Sequence, residues 1–305
     1  MFDLQKACAN CTKETVQKYR RDLMRLFRLT GKGELPAKGT WLKSDTLFKK
    51  YKNIPLNSRR QMSVAAVKGL QGYSIKHEKW NQAMADDVTA YKKQRGKQKL
   101  SKVEKDKWPG GGYPVMKKMS TEYKREIRRI LQGPPKLKGL YAYSQYLILR
   151  WYAEIAWRND LVTVKLRGDG NILSKKKGIY SVKMKDFKSS NKIGEIVVTL
   201  SKALSRVVAK YLKYRSRLDL DHEYLIVNAS GKKLSKAGLV KILNRLTKKY
   251  TGKAFGTRMI RIMATTHQQE ALDKAKKLAS SMLHSLDTSQ TYVRKDAPKV
   301  DPAVI

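Results

Sequence analysis

Hydrophobic residues in the first hundred positions recur every three or four residues, the spacing of an amphipathic helix. Four segments show this pattern, and they begin near Thr12, Ser44, Asn57 and Trp80. The first three of these are residue types that cap helices, because their side-chain oxygens accept hydrogen bonds from free backbone N–H groups. The apolar positions include Val16, Tyr19, Leu23, Leu26, Leu47, Phe48, Tyr51, Met62, Val67, Leu70, Met84 and Val88. Short amphipathic helices need one another to bury such faces, so the pattern predicts a small helical bundle.

The second half of the chain combines helical and strand-like patterns. The predicted helices cover 119–131 and 140–157, and helical spacing returns from Leu204, Leu239 and Ala271 onward. Segments rich in strand-forming residues, separated by turn-forming sequences, are 161–166, 179–184 and 195–200. The pattern predicts a mainly α-helical fold that contains a small, three-stranded antiparallel β-sheet.

Residues 95–118 lose both periodicities and are rich in lysine and glycine. Such a composition is typical of a connection between domains. The sequence therefore predicts a helical domain at 1–94, a basic linker at 95–118 and a second, α+β domain at 119–305. The linker lysines either remain solvated or lie along phosphate groups, and both interpretations stay open.

The charge of the chain points to a polyanionic partner. The 305 residues include 67 Lys and Arg against 25 Asp and Glu, which gives a formal net charge of +42. Hydrophobic residues make up 41% of the chain, enough to build a core rather than a disordered basic tail. A globular protein with this charge is suited to bind nucleic acid.

No apolar run approaches the ~20 residues that a membrane-spanning helix needs, and MFDLQKACAN lacks the apolar stretch of a signal peptide. We therefore expect an intracellular protein with no membrane partner. Cys8 and Cys11, the two cysteines, fit a reducing compartment. Their CxxC spacing would supply half of a zinc site, but no second Cys pair or suitably spaced His pair follows, so we interpret them as ordinary thiols.

Six polar residues of the second domain fall in an order that suggests phosphate chemistry. They are Arg158, Lys188, Arg258, Arg261, His284 and Tyr292. Arg258 and Arg261 are three residues apart in one predicted helix and project from the same face. Two like charges in this arrangement repel each other, a cost that an anion between them would relieve. Taken singly, each residue also has an ordinary structural interpretation, such as capping or packing.

The order and spacing of these residues resemble the tyrosine recombinase, or phage-type integrase, family in the segments WRNDL, RMIR and LHSLDTSQTYVRK. The resemblance implies a core-binding domain in the helical first part and a tyrosine-recombinase catalytic domain over about 115 to 300. Within that family it is closest in character to divergent integrases of viruses and mobile elements.

The same resemblance implies a role for each matching residue. The implied roles are nucleophile for Tyr292, phosphate clamp for Arg158 and Arg261, and donor to the same phosphate for His284. Lys188, in the turn before the last predicted strand, is implied as the lysine that protonates the leaving oxygen. Lys192 occupies the same turn and competes for this role.

Two features depart from the family's pattern. Arg258 occupies the position three residues before Arg261 where the family usually has His. An arginine stabilises negative charge but does not accept a proton near neutral pH, because its pKa lies above ~12. The interval from His284 to Tyr292 is also one residue shorter than usual, which bears on how the tyrosine approaches the phosphate.

These implications predict a site-specific DNA recombinase or integrase that cleaves and rejoins DNA through a covalent 3′-phosphotyrosine. The expected partners are double-stranded DNA and further copies of the chain, as a homotetramer on two DNA sites. No metal or other cofactor is expected, and no Walker-type glycine loop for ATP occurs. The protein is expected to lie with the DNA, in the host nucleus or cytoplasm. A type IB DNA topoisomerase and a non-catalytic DNA-binding protein remain the alternatives.

Overall fold

The structure is a computed structural model that describes residues 4, 8, 11–72 and 74–282, with only the backbone of residue 270. The chain divides into two compact units, Met1–Leu100 and Ser101–Ile305. Of the helices in the described ranges, none is both long enough and apolar enough to cross a membrane. His284 and Tyr292 lie outside the described residues.

The described part of the first unit is helical. Its elements are α1 (Lys13–Phe27), a 3-10 helix (Gly39–Lys43), α2 (Asp45–Lys52), α3 (Leu56–Gln71) and α4 (Glu78–Gly96). The predicted caps Thr12 and Ser44 each accept a 3.3 Å hydrogen bond from the backbone N–H three residues later. The predicted cap Asn57 is wrong: it lies inside α3, and Pro55, whose fixed φ suits a helix start, takes the N-cap position.

Aromatic side chains fill the core of the first unit. Trp80 is buried on α4, and its indole N–H donates to the carbonyl of Leu42 at 2.8 Å. The rings of Phe48 and Tyr51, both on α2, lie with their centroids 5.2 and 4.9 Å from that of Trp80. The apolar faces that the spacing predicts therefore do bury one another.

Helices surround one small sheet in the described part of the second unit. They are α5 (Lys102–Lys107), α6 (Val115–Gln132), α7 (Leu137–Tyr152), α8 (Ser190–Ile193), α9 (Lys202–Arg215), α10 (Lys236–Thr251) and α11 (Thr257–Ser281). Helix α7 is central: most of its residues are buried, and α6 and α9 both pack on it. The predicted extension of this helix to residue 157 is wrong, because the chain turns after Tyr152 and lays Trp157 against Trp151, with ring centroids 5.2 Å apart.

Part of the basic segment 95–118 is helical. Helix α5 falls within it, α6 begins at Val115, and both belong to the second unit. Ser101 caps α5 in a capping box: its side chain accepts from the backbone N–H of Glu104, and the Glu104 carboxylate accepts from the backbone N–H of Ser101. This reciprocal cap explains why so short a helix forms in a lysine-rich sequence.

Among the described residues the sheet has four strands, one more than predicted, and is mixed rather than wholly antiparallel. Its strands, in their order across the sheet, are β1 (Val164–Lys165), β2 (Asn171–Lys176), β3 (Ile179–Met184) and β4 (Ile196–Thr199). Strands β2, β3 and β4 pair antiparallel, whereas β1 pairs parallel with β2. The predicted class, mainly α-helical with one small sheet, is confirmed.

Two details of the predicted sheet are wrong. The segment 161–166 is mostly a 3-10 helix (Asn159–Thr163), and only its Val164 and Lys165 are strand. Strand β2 was not predicted, because its second half consists of exposed polar residues and so lacks the alternation of apolar and polar positions. Lys177 and Gly178, with φ of 48° and 81°, form the two-residue turn that joins β2 to β3.

Candidate active site

The start of helix α11 carries Arg258 and Arg261, about one turn apart. Thr257, the first residue of the helix, is buried, and its hydroxyl donates to Oδ1 of Asn159 at 2.8 Å. Asn159 directly follows Arg158, so this bond between residues 98 positions apart fixes the Arg158 segment beside the helix N-terminus. Three of the predicted site residues are thus brought to one region of the second unit.

The backbone of Arg158 is held by the end of α7. The prediction placed Arg158 at the end of the long helix 140–157, which is wrong. Arg158 directly precedes the 3-10 helix Asn159–Thr163. Its carbonyl accepts a hydrogen bond from the hydroxyl of Tyr152 at 2.5 Å. Burial raises the pKa of Tyr152, so this phenol stays protonated and continues to donate. The Arg158 side chain itself is exposed and available to a ligand.

Arg261 is the electrostatic centre of the group. Burial, followed by the positive charges of Arg158 and Arg258, lowers the pKa of its guanidinium, while Asp160 acts in the opposite sense. Its Nε is buried and has no hydrogen-bond partner among the described residues. A partly buried cation among like charges, with an unpaired donor, is unfavourable in the free protein. An anion with several oxygen atoms would relieve both costs.

Arg258 is paired with a carboxylate that the sequence pattern does not single out. Its Nη2 lies 2.8 Å from Oε1 of Glu104, whose side chain is 9% exposed compared with 68% for Arg258. The second oxygen of Glu104 accepts from the backbone N and the hydroxyl of Ser101, each at 2.9 Å. Glu104 therefore fixes one edge of the Arg258 guanidinium. The sequence SKVE is a recognisable capping box, but nothing in it indicates a contact 154 residues away.

Lys188 and Lys192 lie on the loop between β3 and β4, as predicted, and both are exposed. Lys188 directly follows Phe187, which packs against the core, whereas Lys192 belongs to the single turn α8. Glu195 closes the base of this loop through ion pairs with Lys183 at 2.7 Å and Lys185 at 3.9 Å. Within the described ranges, neither candidate lysine makes a side-chain hydrogen bond or ion pair.

The remaining predicted residues, His284 and Tyr292, fall beyond the described part of the chain, so their roles stay predictions. Within that described part, no group of three or more His, Cys, Asp or Glu side chains is arranged to hold a metal ion. The donors at hand are guanidinium groups, which suit phosphate oxygens rather than metal ions.

The sequence matches no known family profile and no curated protein. Solved structures do match. The XerH site-specific recombinase bound to difH substrate, a pre-cleavage complex, is similar over 94% of this chain and 78% of that chain, with 14% identity and a TM-score of 0.50. The post-cleavage XerH complex with palindromic difH substrate is similar over 92% of this chain and 74% of that chain, with 14% identity and a TM-score of 0.46. XerA recombinase is similar over 97% of this chain and 98% of that chain, with 13% identity and a TM-score of 0.36. The pre-cleavage XerH complex carries the assignment of the fold.

Proposed function

We propose that this chain, which has the tyrosine recombinase fold, is a site-specific DNA recombinase or integrase that cleaves and rejoins double-stranded DNA. The supporting observation is that Arg158 and Arg258 lie near the partly buried guanidinium of Arg261, whose Nε has no hydrogen-bond partner in the described part of the chain and whose pKa is lowered by burial and by their charges. A phosphodiester in the transition state carries negative charge that would stabilise this guanidinium.

The three arginines would stabilise the pentacoordinate transition state. Negative charge accumulates on the non-bridging oxygens there, and guanidinium groups offer planar, preorganised donors to them. Arg158 and Arg261 clamp the phosphate, with His284 as a further donor. Arg258, held by Glu104 on one edge, adds charge stabilisation but no base catalysis, because an arginine does not lose its proton near neutral pH.

Tyr292 would supply the nucleophile. Its phenol loses its proton to water as the phenolic oxygen forms a bond to phosphorus. The bond from phosphorus to the 5′ oxygen breaks, and the loop lysine transfers a proton to that oxygen. The product is a 3′-phosphotyrosine and a free 5′ hydroxyl, and attack by a 5′ hydroxyl reverses the step without loss of bond energy. Joining a different strand in the reverse step gives recombination.

The net charge of +42 supports duplex DNA as the partner. Binding should weaken steeply as salt rises, with a log–log slope of about −0.9 for each phosphate contacted. The neighbouring pre-cleavage XerH recombinase is bound to its difH substrate. A homotetramer that pairs two DNA sites, located with the host DNA, completes the proposal. An origin in a virus or mobile element stays a prediction.

The proposal is tested with DNA selected by the protein itself. Duplexes that bind are first enriched from a randomised library, and nicks are then placed at each position of the enriched sequence so that a cleaved end diffuses away. The wild-type chain should form an adduct that survives denaturation. Binding without any adduct would favour the non-catalytic alternative. Relaxation of supercoiled plasmid carrying the site, without recombinant products, would favour the topoisomerase.

Substitution Lys188→Ala is expected to reduce cleavage of this DNA by roughly 10²–10⁴-fold, the usual contribution of a general acid. The defect should largely disappear on a duplex in which sulfur replaces the bridging 5′ oxygen at the cleaved phosphate. A thiol has a pKa near 8.5, so a thiolate leaves without a proton. Rates of adduct formation on the two duplexes measure this effect.

Lys192→Ala is the matched control, because it removes the same charge from the same exposed loop. It should cleave both duplexes at nearly the wild-type rate. The reverse pattern, in which Lys192→Ala is rescued by sulfur and Lys188→Ala is not, would assign the proton donor to Lys192.

A further inference from the structure

One buried amide in the sheet, that of Asn171, uses all of its hydrogen-bonding capacity. Asn171 begins β2 and is 1% exposed. Its Nδ2 donates to Oγ1 of Thr163 at 2.7 Å and to the carbonyl of Asp186 at 2.9 Å. Its Oδ1 accepts from the backbone N–H groups of Lys185 and Asp186, both at 2.9 Å. A neutral amide offers two donor hydrogens and two acceptor lone pairs, and all four are engaged here.

These bonds join the two segments that carry the predicted chemistry. On one side, Thr163 ends the 3-10 helix that follows Arg158, and its hydroxyl also donates to the carbonyl of Asp160 at 2.6 Å. On the other side, Asp186 lies two residues before Lys188, at the root of the loop between β3 and β4. Asn171 therefore links the arginine segment to the root of the lysine loop through a single side chain.

The surroundings of Asn171 leave little freedom at this link. Gly170, with φ of +97°, makes the approach to β2, and a Cβ at this position would lie 2.9 Å from Oδ2 of Asp186. Asn171 also pairs with Val164 in the parallel β1–β2 register. Phe187, the next residue after Asp186, packs against the core. The root of the loop is thus fixed from both sides, while Lys188 beyond it is exposed.

No isosteric side chain reproduces this set of bonds. An aspartate at this position would have no donor for Thr163 or for the Asp186 carbonyl, and a leucine would leave two backbone N–H groups unsatisfied. Buried polar groups without partners are costly, so the use of asparagine here reflects a need to hold both segments at once.

We infer that Asn171 is a positioning residue that sets the lysine loop relative to Arg158, so that the loop lysine delivers its proton to the leaving 5′ oxygen. The inference rests on the proposed function. It predicts that loss of Asn171 impairs proton delivery while the arginine clamp persists, because Arg261 is carried by α11 and the Arg158 segment is still held by the hydroxyl groups of Tyr152 and Thr257. A displacement of about 1 Å is enough to cost on the order of 10²-fold in rate.

The experiment compares adduct formation on nicked duplexes with oxygen or sulfur at the bridging 5′ position. Asn171→Ala should lose roughly 10- to 10²-fold on the oxygen duplex and stay close to wild type on the sulfur duplex, since a misplaced acid matters only when the leaving group needs a proton. A double variant that also lacks the loop lysine should be no slower than the lysine variant alone, because both changes impair the same step, the delivery of the proton.

Two further variants separate positioning from general loss of structure. Thr163→Val removes only the hydroxyl that joins Asn171 to Asp160, and it should show a smaller loss with the same sulfur rescue if Asn171→Ala does not fold. Ser205→Ala is the matched control: Ser205 is 2% exposed and accepts from the Tyr180 N–H at 3.1 Å, at the opposite end of β3. It should lower the melting temperature without a preference between the duplexes.

Equal losses on both duplexes for Asn171→Ala and Thr163→Val would overturn the inference, as would rates that multiply in the double variant. These outcomes differ from failure of the proposed function, in which the wild-type chain forms no adduct on either duplex.

Discussion

Substitution Tyr292→Phe is expected to abolish the covalent protein–DNA adduct while leaving DNA affinity nearly unchanged. The change removes one oxygen atom and no charge, so it removes the bond to phosphorus but not the electrostatic attraction that holds the duplex. Loss of a covalent nucleophile costs on the order of 10⁶-fold in kcat, far below detection in a trapping assay. Denaturing gels of nicked duplex, with binding measured on the intact duplex, check both parts.

Tyr224→Phe is the matched control for this prediction. A hydrogen bond with Lys233, whose Nζ lies 3.8 Å from the ring centroid, and the charges of Lys233 and Lys165 lower the pKa of the Tyr224 phenol. If acidity alone selected the nucleophile, Tyr224 would be favoured among the tyrosines of the described ranges, yet its variant should form adduct at the wild-type rate. Mass spectrometry of the digested adduct identifies the attached residue, and a phosphate found on Tyr224 would remove Tyr292 from the mechanism.

Substitution Arg261→Met is expected to reduce cleavage by at least roughly 10²–10³-fold, the usual effect of losing one preorganised donor to a developing charge. DNA affinity should change little, because one cation among a net charge of +42 contributes at most one phosphate contact. The thermal stability of the free protein should stay level or rise. Burial and the charges of Arg158 and Arg258 already disfavour the charged guanidinium, and its Nε has no partner in the described part of the chain.

The combination of lost cleavage, retained affinity and undiminished melting temperature distinguishes a transition-state contact from a structural one. Arg206→Ala serves as the control, since Arg206 is an exposed arginine of α9 in the same unit. It should leave cleavage of bound DNA unchanged. A fall in melting temperature for Arg261→Met, or a loss of affinity as large as the loss of cleavage, would contradict the role proposed for Arg261.

Much of the local structure was predictable because the apolar residues of a helix recur every three or four positions in the sequence. The faces of α1 and α2 follow the predicted positions, α9 and α10 begin close to the predicted Leu204 and Leu239, and the caps Thr12 and Ser44 act as expected. Strand β2 was not predictable, since its last three residues are polar and exposed on both faces of the sheet and mask the alternation that would reveal it. The end of α7 was missed because the contact between Trp151 and Trp157, not a local stop signal, turns the chain.

By itself, the sequence determined the strong positive charge, the helical periodicity and the presence of Arg258 and Arg261 on one turn of one helix. These are properties of composition and of neighbours within a few positions, which a linear pattern records. Only the tertiary structure decided that Arg158 lies beside that helix, that Glu104 holds Arg258, and that Asn171 ties the lysine loop to the arginine segment. Those contacts depend on how buried faces pack across long stretches of chain, and nothing in the residues near either partner specifies the other.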